Sequence, residues 1–186
     1  MRTAHALAYA SAVSVWPELF VFDLDHTLIN RPRFRKGPPF QRVDDGLAGV
    51  ASACGATLDL YPGARSALLR CADAGCDVAI VSRSHRQAWV RDWLGMLRVD
   101  PERTVLQVVA PSSVVIRDGK KSVHVRELQR RTRVAYEDML FFDDNAADVA
   151  EVALLGVTTV HCGDGRGLTS SHFDDGLARF NRKSRE

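Results

Sequence analysis

Five short apolar runs alternate along the chain with stretches in which apolar residues recur every three or four positions. The runs have the length and the content of β-branched and aromatic residues that are typical of buried strands, and the stretches between them have helical spacing. The five runs occupy residues 19–22, 76–81, 105–109, 139–142 and 157–160. This alternation predicts an α/β fold, in which a doubly wound parallel sheet carries helices on both faces.

Size and charge limit the classes of protein to which the chain can belong. Its 186 residues and mass of 20.5 kDa fit a single domain over residues 1–186, and a hydrophobic fraction of 46% is enough for a core. The net charge of +2 gives no reason to expect a nucleic acid or a membrane as partner, and no apolar run approaches the roughly 18 residues of a bilayer span. The four cysteines lack the spacing of a zinc site or a disulfide framework, which favours a reducing, cytoplasmic location.

Two segments fall outside the alternation. Residues 1–16 contain Arg2, no acidic residue and a run of small apolar residues, as in a targeting peptide. The first predicted strand follows too closely to leave room for a processing site, so we interpret residues 1–18 as a leader or a short helix. Residues 30–60 lack a steady period and are predicted to form an insertion or small lid with at most one short helix or hairpin. Its basic cluster at residues 31–36 would meet an anionic substrate or remain a solvated loop.

Two carboxylates follow the first predicted strand at the point where it ends. Asp23 and Asp25 are close enough to repel each other unless a cation lies between them, and Mg²⁺ is the hard divalent ion that carboxylates and phosphates hold together. One of the two could act as a nucleophile and the other as a general acid and base. A bare Asp-x-Asp also occurs as an acidic turn, but the longer Asp-x-Asp-x-Thr, ending at Thr27 directly after an apolar run, favours the chemistry.

Phosphate-binding residue types follow the second strand and open a later helix. Ser82 can hydrogen-bond a phosphate oxygen, and the planar guanidinium of Arg83 matches two such oxygens. Lys120 or Lys121 opens a helix, where a cation opposes the helix dipole, so we expect an anionic partner there. Each of these could instead be an ordinary turn or surface residue. Their common position favours a site, because the carboxyl ends of parallel strands meet at one edge of the sheet.

A second acidic pair, Asp143 and Asp144, follows the predicted strand at residues 139–142. Neighbouring side chains of a strand point to opposite faces, so only one of the two is expected to face Asp23 and complete the shell of a cation. Asp148 would support the site from the first turn of the next helix, or it is simply an acid in a favourable position near a helix N-terminus.

These motifs, in this order, resemble the four motifs of the haloacid dehalogenase superfamily. The chain is more similar still to its magnesium-dependent phosphatases of the acid phosphatase type, a branch with little or no cap domain that acts on protein phosphotyrosine and sugar phosphates. The resemblance runs from Leu19 to about Phe180. The matching segments are 23–27, 60–62, 78–83, 121–124, 141–144 and 155–158.

The resemblance implies roles for the acidic residues. Asp23 would attack phosphorus and form an aspartyl phosphate, and Asp25 would protonate the leaving group and then activate water. Mg²⁺ would be held by Asp23, the backbone carbonyl of Asp25 and Asp144. Asp143 and Asp148 would lie next to these ligands and support them without binding the ion directly.

The resemblance also implies how the phosphoryl group is held. Ser82, Arg83 and Lys121 would bind it, with Lys121 favoured over its neighbour because it precedes His124 by three residues, as in the family. Thr27 would bond the loop or the phosphate. Two departures bear on the pocket wall and on the support of the metal. Ile29 and Asn30 stand where the family usually has Trp-Pro, and Asn145 and Asp148 stand in place of its Glu and Asn.

The function expected from this resemblance is a Mg²⁺-dependent phosphomonoesterase whose partner is a phosphorylated small molecule or a phosphoprotein. Because Asp25 must be protonated for the first step, we predict a pH optimum on the acid side of neutral. A phosphotransferase or mutase is an alternative within the same chemistry. A receiver-like signalling domain, in which phosphorylation of an Asp changes the conformation of an interaction surface, is an alternative from another class.

Overall fold

The computed structural model describes residues 15–30 and 37–183, and a five-stranded parallel sheet lies at its centre. The strands, in chain order, are β1 (Leu19–Asp23), β2 (Gln41–Arg42), β3 (Val50–Ala51), β4 (Thr57–Leu58), β5 (Asp77–Ser82), β6 (Val114–Ile116), β7 (Met139–Asp143) and β8 (Thr158–His161). The helices are α1 (Pro62–Asp73), α2 (Gln87–Met96), α3 (Val105–Val108), α4 (Lys121–Thr132), α5 (Ala146–Ala153) and α6 (Ser170–Lys183). Among the described residues, no helix is both long and apolar enough to cross a bilayer.

The order of the central sheet is β6-β5-β1-β7-β8, with every neighbouring pair parallel. The chain builds β5 and β6 on one side of β1 and then places β7 and β8 on the other side. The connections therefore reverse direction between β1 and β7, and a crevice opens there at the carboxyl edge of the sheet. The predicted doubly wound α/β fold is confirmed.

A separate apolar cluster covers each face of the sheet, so β1 and β7 are buried throughout. Phe20 and Phe22, two residues apart on β1, share the face that is covered by α1, α2 and α6. Val21 and Phe141 point to the opposite face, which is covered by α4 and α5. A strand that is buried on both faces needs a continuous apolar run rather than an alternating one, and that is the pattern found in these two segments.

One predicted strand is wrong. Residues 105–109 form α3 and its end instead of a strand, and the edge strand is β6. The backbone N–H of Thr104 donates to the side chain of Gln107 at 2.7 Å, which caps the start of a helix. Val105 and Val109 are both buried, at the four-residue spacing of a helix. The sheet pairs instead with Val114–Ile116, which lies beside Ile80–Ser82 of β5.

The described part of the predicted insertion forms a small antiparallel sheet, β2-β3-β4, rather than at most one hairpin. Phe40 fixes it to α2, since its ring meets those of Trp89 and Trp93 edge-on at 5.8 and 5.7 Å. The basic cluster at residues 31–36 lies outside the described residues, as do residues 1–14 of the predicted leader. Trp16 packs against Phe20, so the folded part of the chain includes residues ahead of β1.

Candidate active site

A pocket of about 200 Å³ lies in the crevice at the carboxyl edge of the sheet. Its lining side chains come from the ends of β1, β5 and β7 and from the first turns of α4 and α5. They are Asp23, Asp25, His26, Arg83, Lys121, Asp143, Asp144, Asn145 and Asp148. The fold thus brings together seven of the nine residues predicted for the site, and the other two, Thr27 and Ser82, lie next to it.

The loop after β1 turns sharply at the mouth of the pocket. The carbonyl of Leu24 accepts hydrogen bonds from the backbone N–H groups of Leu28 and Ile29, both at 3.0 Å. His26 adopts a left-handed backbone with φ of 64°, and its own N–H donates to the carbonyl of Ile29 at 2.8 Å. Left-handed backbone is uncommon for a residue other than glycine. Asp23, the last residue of β1, is buried, whereas His26 is exposed at the rim of the pocket.

Lys121 is buried against the carboxylates, in contrast to the neighbouring Lys120. Its ammonium group contacts the Asp23 carboxylate, donates to the carbonyl of Val81 at 3.2 Å and lies 3.5 Å from Asp143 Oδ2. Burial alone lowers the pKa of Lys121, but the attraction of Asp23 and Asp143 outweighs it, so the pKa is raised and the side chain is charged. The side chain of Lys120 is 77% exposed and lies outside the pocket.

Three carboxylates converge beside this lysine. Asp23, Asp143 and Asp144 each offer an oxygen within 4.8 Å of the others. The prediction that only one of the second acidic pair faces Asp23 is wrong. Asp143 is the last residue of β7, and Asp144 already belongs to the turn into α5, so the alternation of a strand no longer applies between them.

The electrostatics of this cluster favour a bound cation. Burial and the nearby Asp23 raise the pKa of Asp143 to about 7, although Lys121 opposes the shift. The same two causes raise the pKa of Asp144. Asp143 Oδ2 is buried and has no hydrogen-bond partner among the described residues. An all-oxygen set of this kind, with a buried carboxylate oxygen that accepts no hydrogen bond and lies 3.5 Å from the Lys121 ammonium, fits a hard divalent ion such as Mg²⁺.

Thr27 and Ser82 lie beside the pocket rather than in its lining. The backbone N–H of Asp144 donates to the Thr27 hydroxyl at 3.0 Å, so Thr27 bonds the loop after β7, and its contact with a phosphate stays a prediction. The Ser82 hydroxyl is buried and accepts a hydrogen bond from the backbone N–H of Ser84 at 3.2 Å. Contact of Ser82 with a phosphoryl group stays a prediction.

Two residues near the site, His26 and His161, were not singled out from the sequence. His26 lines the pocket together with Asn145, which was noted as a departure from the family pattern, and the imidazole Nε2 of His161 lies 3.0 Å from the carbonyl oxygen of Asp144. His161 is the last residue of β8, which pairs with β7, so its place at the carboxyl edge of the sheet was a usable signal. His26 had no signal beyond its place inside the Asp-x-Asp-x-Thr motif.

Comparisons with known proteins agree with this geometry. A family model described as Acid Phosphatase matches residues 15–183. Magnesium-dependent phosphatase 1 of Homo sapiens is 30% identical over 167 residues, which cover 88% of this chain and 87% of the human one.

Two solved structures share the fold. The N-terminal part of BF1531 from Bacteroides fragilis, which contains a phosphatase domain complexed with Mg, superposes with a TM-score of 0.59 at 18% identity, over 89% of this chain and 40% of that one. A HAD-superfamily hydrolase from Ehrlichia chaffeensis superposes with the same TM-score at 14% identity, over 91% of this chain and 98% of that one.

The family match spans nearly the whole described chain, and the human relative covers a similar share of it. Sequence motifs, sheet topology and the carboxylate cluster all agree with that assignment. The chain therefore belongs to the acid phosphatase family and is a magnesium-dependent phosphatase, and it shares the fold of a HAD-superfamily hydrolase.

Proposed function

We propose that the protein hydrolyses phosphate monoesters through an aspartyl phosphate formed on Asp23. The observation that carries this proposal is the contact between the buried Lys121 ammonium and the Asp23 carboxylate. Asp143 and Asp144 lie in the same cluster of carboxylates as Asp23. The lysine fixes the position of the Asp23 carboxylate, which is the group that would attack phosphorus. It also places a fixed positive charge where the phosphoryl oxygens would arrive.

The reaction has two steps with one proton-transferring residue. An Asp23 oxygen attacks phosphorus while the bond to the ester oxygen breaks, and Asp25 gives its proton to that leaving oxygen. Asp25 then removes a proton from water, the water oxygen attacks phosphorus, and the bond to Asp23 breaks to release inorganic phosphate. Asp25 suits both steps because it lines the pocket two residues beyond the nucleophile and is only partly buried.

The carboxylates of Asp23 and Asp144 and the backbone carbonyl of Asp25 would hold Mg²⁺, with the Asp143 carboxylate beside them. When bound, the ion supplies positive charge that neutralises the phosphoryl oxygens. Lys121 and Arg83, which line the same pocket, contribute fixed positive charges. Since phosphoryl transfer depends mainly on positioning and charge neutralisation, these side chains account for most of the expected rate.

The form of the pocket bears on the substrate. Its volume of about 200 Å³ suits a phosphoryl group and the first atoms of a leaving group, and its rim carries the exposed residues His26, Arg83 and Asn145. A larger leaving group would extend into solvent. We therefore propose substrates in which the phosphate projects from the rest of the molecule, either protein phosphotyrosine or a sugar phosphate. A panel containing a phosphotyrosine peptide, sugar phosphates and nucleotides distinguishes these classes.

The direct test uses an aryl phosphate with and without EDTA, followed by acid quenching and mass spectrometry of the peptide that contains Asp23. We expect Mg²⁺-dependent release of phosphate and a phosphorylated Asp23 peptide during turnover. Asp174→Asn is the matched control, because Asp174 pairs with Arg70 on the surface of α6 and should keep full activity. Turnover by an Asp23→Asn variant at the wild-type rate would exclude this mechanism.

Product analysis with an added alcohol separates hydrolysis from transfer. We expect inorganic phosphate as the product even at high alcohol concentration. A new phosphate ester as the main product would instead identify a phosphotransferase.

A further inference from the structure

Arg83 and Asp148 form an ion pair in the wall of the pocket, although 65 residues separate them in sequence. One terminal guanidinium nitrogen of Arg83 contacts Asp148 Oδ1, and both residues line the pocket. Arg83 follows the end of β5 and Asp148 lies in the first turn of α5. The pair therefore connects the β5 side of the crevice to the β7 side.

The two partners differ in burial. The side chain of Asp148 is only 7% exposed, whereas that of Arg83 is 45% exposed. Asn145, the N-cap of α5, accepts a hydrogen bond from the Asp148 backbone N–H at 3.3 Å, which fixes the turn that carries the carboxylate. Asp148 is thus the rigid member of the pair, and Arg83 is a long, partly solvated side chain that rests on it.

Asp148 is not one of the three acids whose oxygens converge within 4.8 Å. Its contact is with the guanidinium, and the guanidinium has five N–H donors, of which this contact uses only one nitrogen. Donors remain for an anion in the pocket.

We propose that Asp148 is a positioning residue, which holds Arg83 at the pocket wall so that its remaining donors bind an oxygen of the phosphoryl group. The inference depends on the proposed function, because it assigns a role in substrate binding to the same pocket. Without Asp148, Arg83 samples many rotamers in solvent. Fixing one of them on binding phosphate then costs conformational entropy.

The test compares four variants in steady-state kinetics with an aryl phosphate. Arg83→Ala and Asp148→Ala should each raise KM roughly tenfold and change kcat by less than about threefold, since both remove binding that is similar in the ground state and the transition state. The double variant should be no worse than Arg83→Ala alone, because positioning is lost only once. Asp148→Asn retains an acceptor oxygen and should restore KM to within about threefold of wild type.

Two controls separate positioning from a general structural effect. Glu151→Gln removes the same charge one turn further along α5, where Glu151 bonds Ser122 at 2.6 Å, and should leave KM unchanged. The concentration of Mg²⁺ needed for half-maximal activity should also be unchanged in Asp148→Ala. Thermal melting of each variant confirms that the fold is intact, and Asp148→Leu, which keeps most of the side-chain volume but has no acceptor oxygen, replaces Asp148→Ala if that variant does not fold.

Three results would overturn the proposal: an unchanged KM in Asp148→Ala, additive effects in the double variant, or an increased requirement for Mg²⁺ in place of the increase in KM. If the wild-type protein releases no phosphate at all, the proposed function fails, and calorimetric titration with inorganic phosphate decides this inference separately. Weaker phosphate binding by Asp148→Ala than by wild type then supports it, and equal binding excludes it.

Discussion

Strand β1 contributes to two buried regions that are opposite in chemistry. Phe22 stacks on Phe142 with ring centroids 5.1 Å apart, and Phe20 stacks on Phe173 at 5.4 Å, in an aromatic layer that covers one face of the sheet. Asp23, the very next residue of the strand, belongs to the charged pocket. Phe22 and Asp23 are both buried, but only the aromatic side chain gains free energy of folding from its burial.

The charged pocket opposes folding when no cation is present. Asp143 and Asp144 have raised pKa values because burial and the proximity of Asp23 disfavour their charged forms. The aromatic layer has no such cost, since stacked rings gain both from burial and from their mutual geometry. We therefore expect substitutions in the aromatic layer to change stability with little effect on turnover. Substitutions in the pocket should lower turnover with little effect on stability.

The largest effect is expected for Asp23→Asn. We expect kcat/KM to fall by more than about a thousandfold, because the amide cannot attack phosphorus. The free energy of unfolding should stay within about 1 kcal/mol of wild type or rise, since repulsion with Asp143 is relieved while Lys121 keeps Asp143 as a partner. Phosphate release and urea unfolding measure the two quantities. A loss of stability in proportion to the loss of activity would contradict the separation of the pocket, which serves turnover, from the aromatic layer, which serves stability.

Lys121→Met is expected to have the next largest effect on turnover. It removes the cation that contacts Asp23 and keeps most of the side-chain volume, so kcat/KM should fall about a hundredfold or more. Lys120→Met is the matched control, because Lys120 lies outside the pocket and pairs only at 3.8 Å with Glu151. Equal effects of the two substitutions on steady-state kinetics would contradict the assignment of the site.

Phe173→Ala tests the aromatic layer. Phe173 is fully buried and stacks on both Phe20 and Phe142, so the substitution should cost about 3–5 kcal/mol of unfolding free energy. At a temperature where the variant remains folded, kcat/KM should lie within about twofold of wild type. Leu154→Ala is the control, since Leu154 is 87% exposed and its removal should cost almost nothing. Denaturant unfolding decides, and a large loss of turnover in the folded variant would show that the two regions are not separate.

The smallest effect is a pH dependence of stability in EDTA. The pKa of Asp143 rises from 3.8 to about 7 on folding, so the folded protein binds this proton more tightly than the unfolded chain does. Stability should therefore fall as the pH rises from about 4 to about 7 and then level off. In melting scans we expect a decrease of a few degrees, which Asp143→Asn should reduce and which Mg²⁺ should reverse more strongly at pH 8 than at pH 5. A melting temperature that rises over this range in the metal-free protein would contradict the shift.

Much of the fold could be predicted from the sequence because the sheet strands are buried on both faces and read as apolar runs. The exception at residues 105–109 shows the limit of that signal, since a short run rich in valine fits a buried helix turn as well as a strand. The order of the strands was not readable from the chain, because it depends on which helices cover which face.

The site was predictable to the extent that its residues lie at the ends of strands. The positions of Asp23 and Asp143 follow from the topology alone, as both end neighbouring parallel strands. What the sequence could not supply was side-chain pairing across the crevice. The contact of Arg83 with Asp148, and the joint approach of Asp143 and Asp144 to Asp23, depend on how the backbone turns after each strand ends.

The most direct test of the account is a calorimetric titration of Mg²⁺ into the wild-type protein and Asp144→Asn at pH 8, with Asp164→Asn as a control outside the pocket. If the acids of β1 and of the turn after β7 share one cation, the wild type and the control should bind a single Mg²⁺ with equal affinity. Asp144→Asn should then bind it at least about tenfold more weakly. Equal affinity in all three proteins would contradict the claim that this carboxylate cluster is the magnesium site.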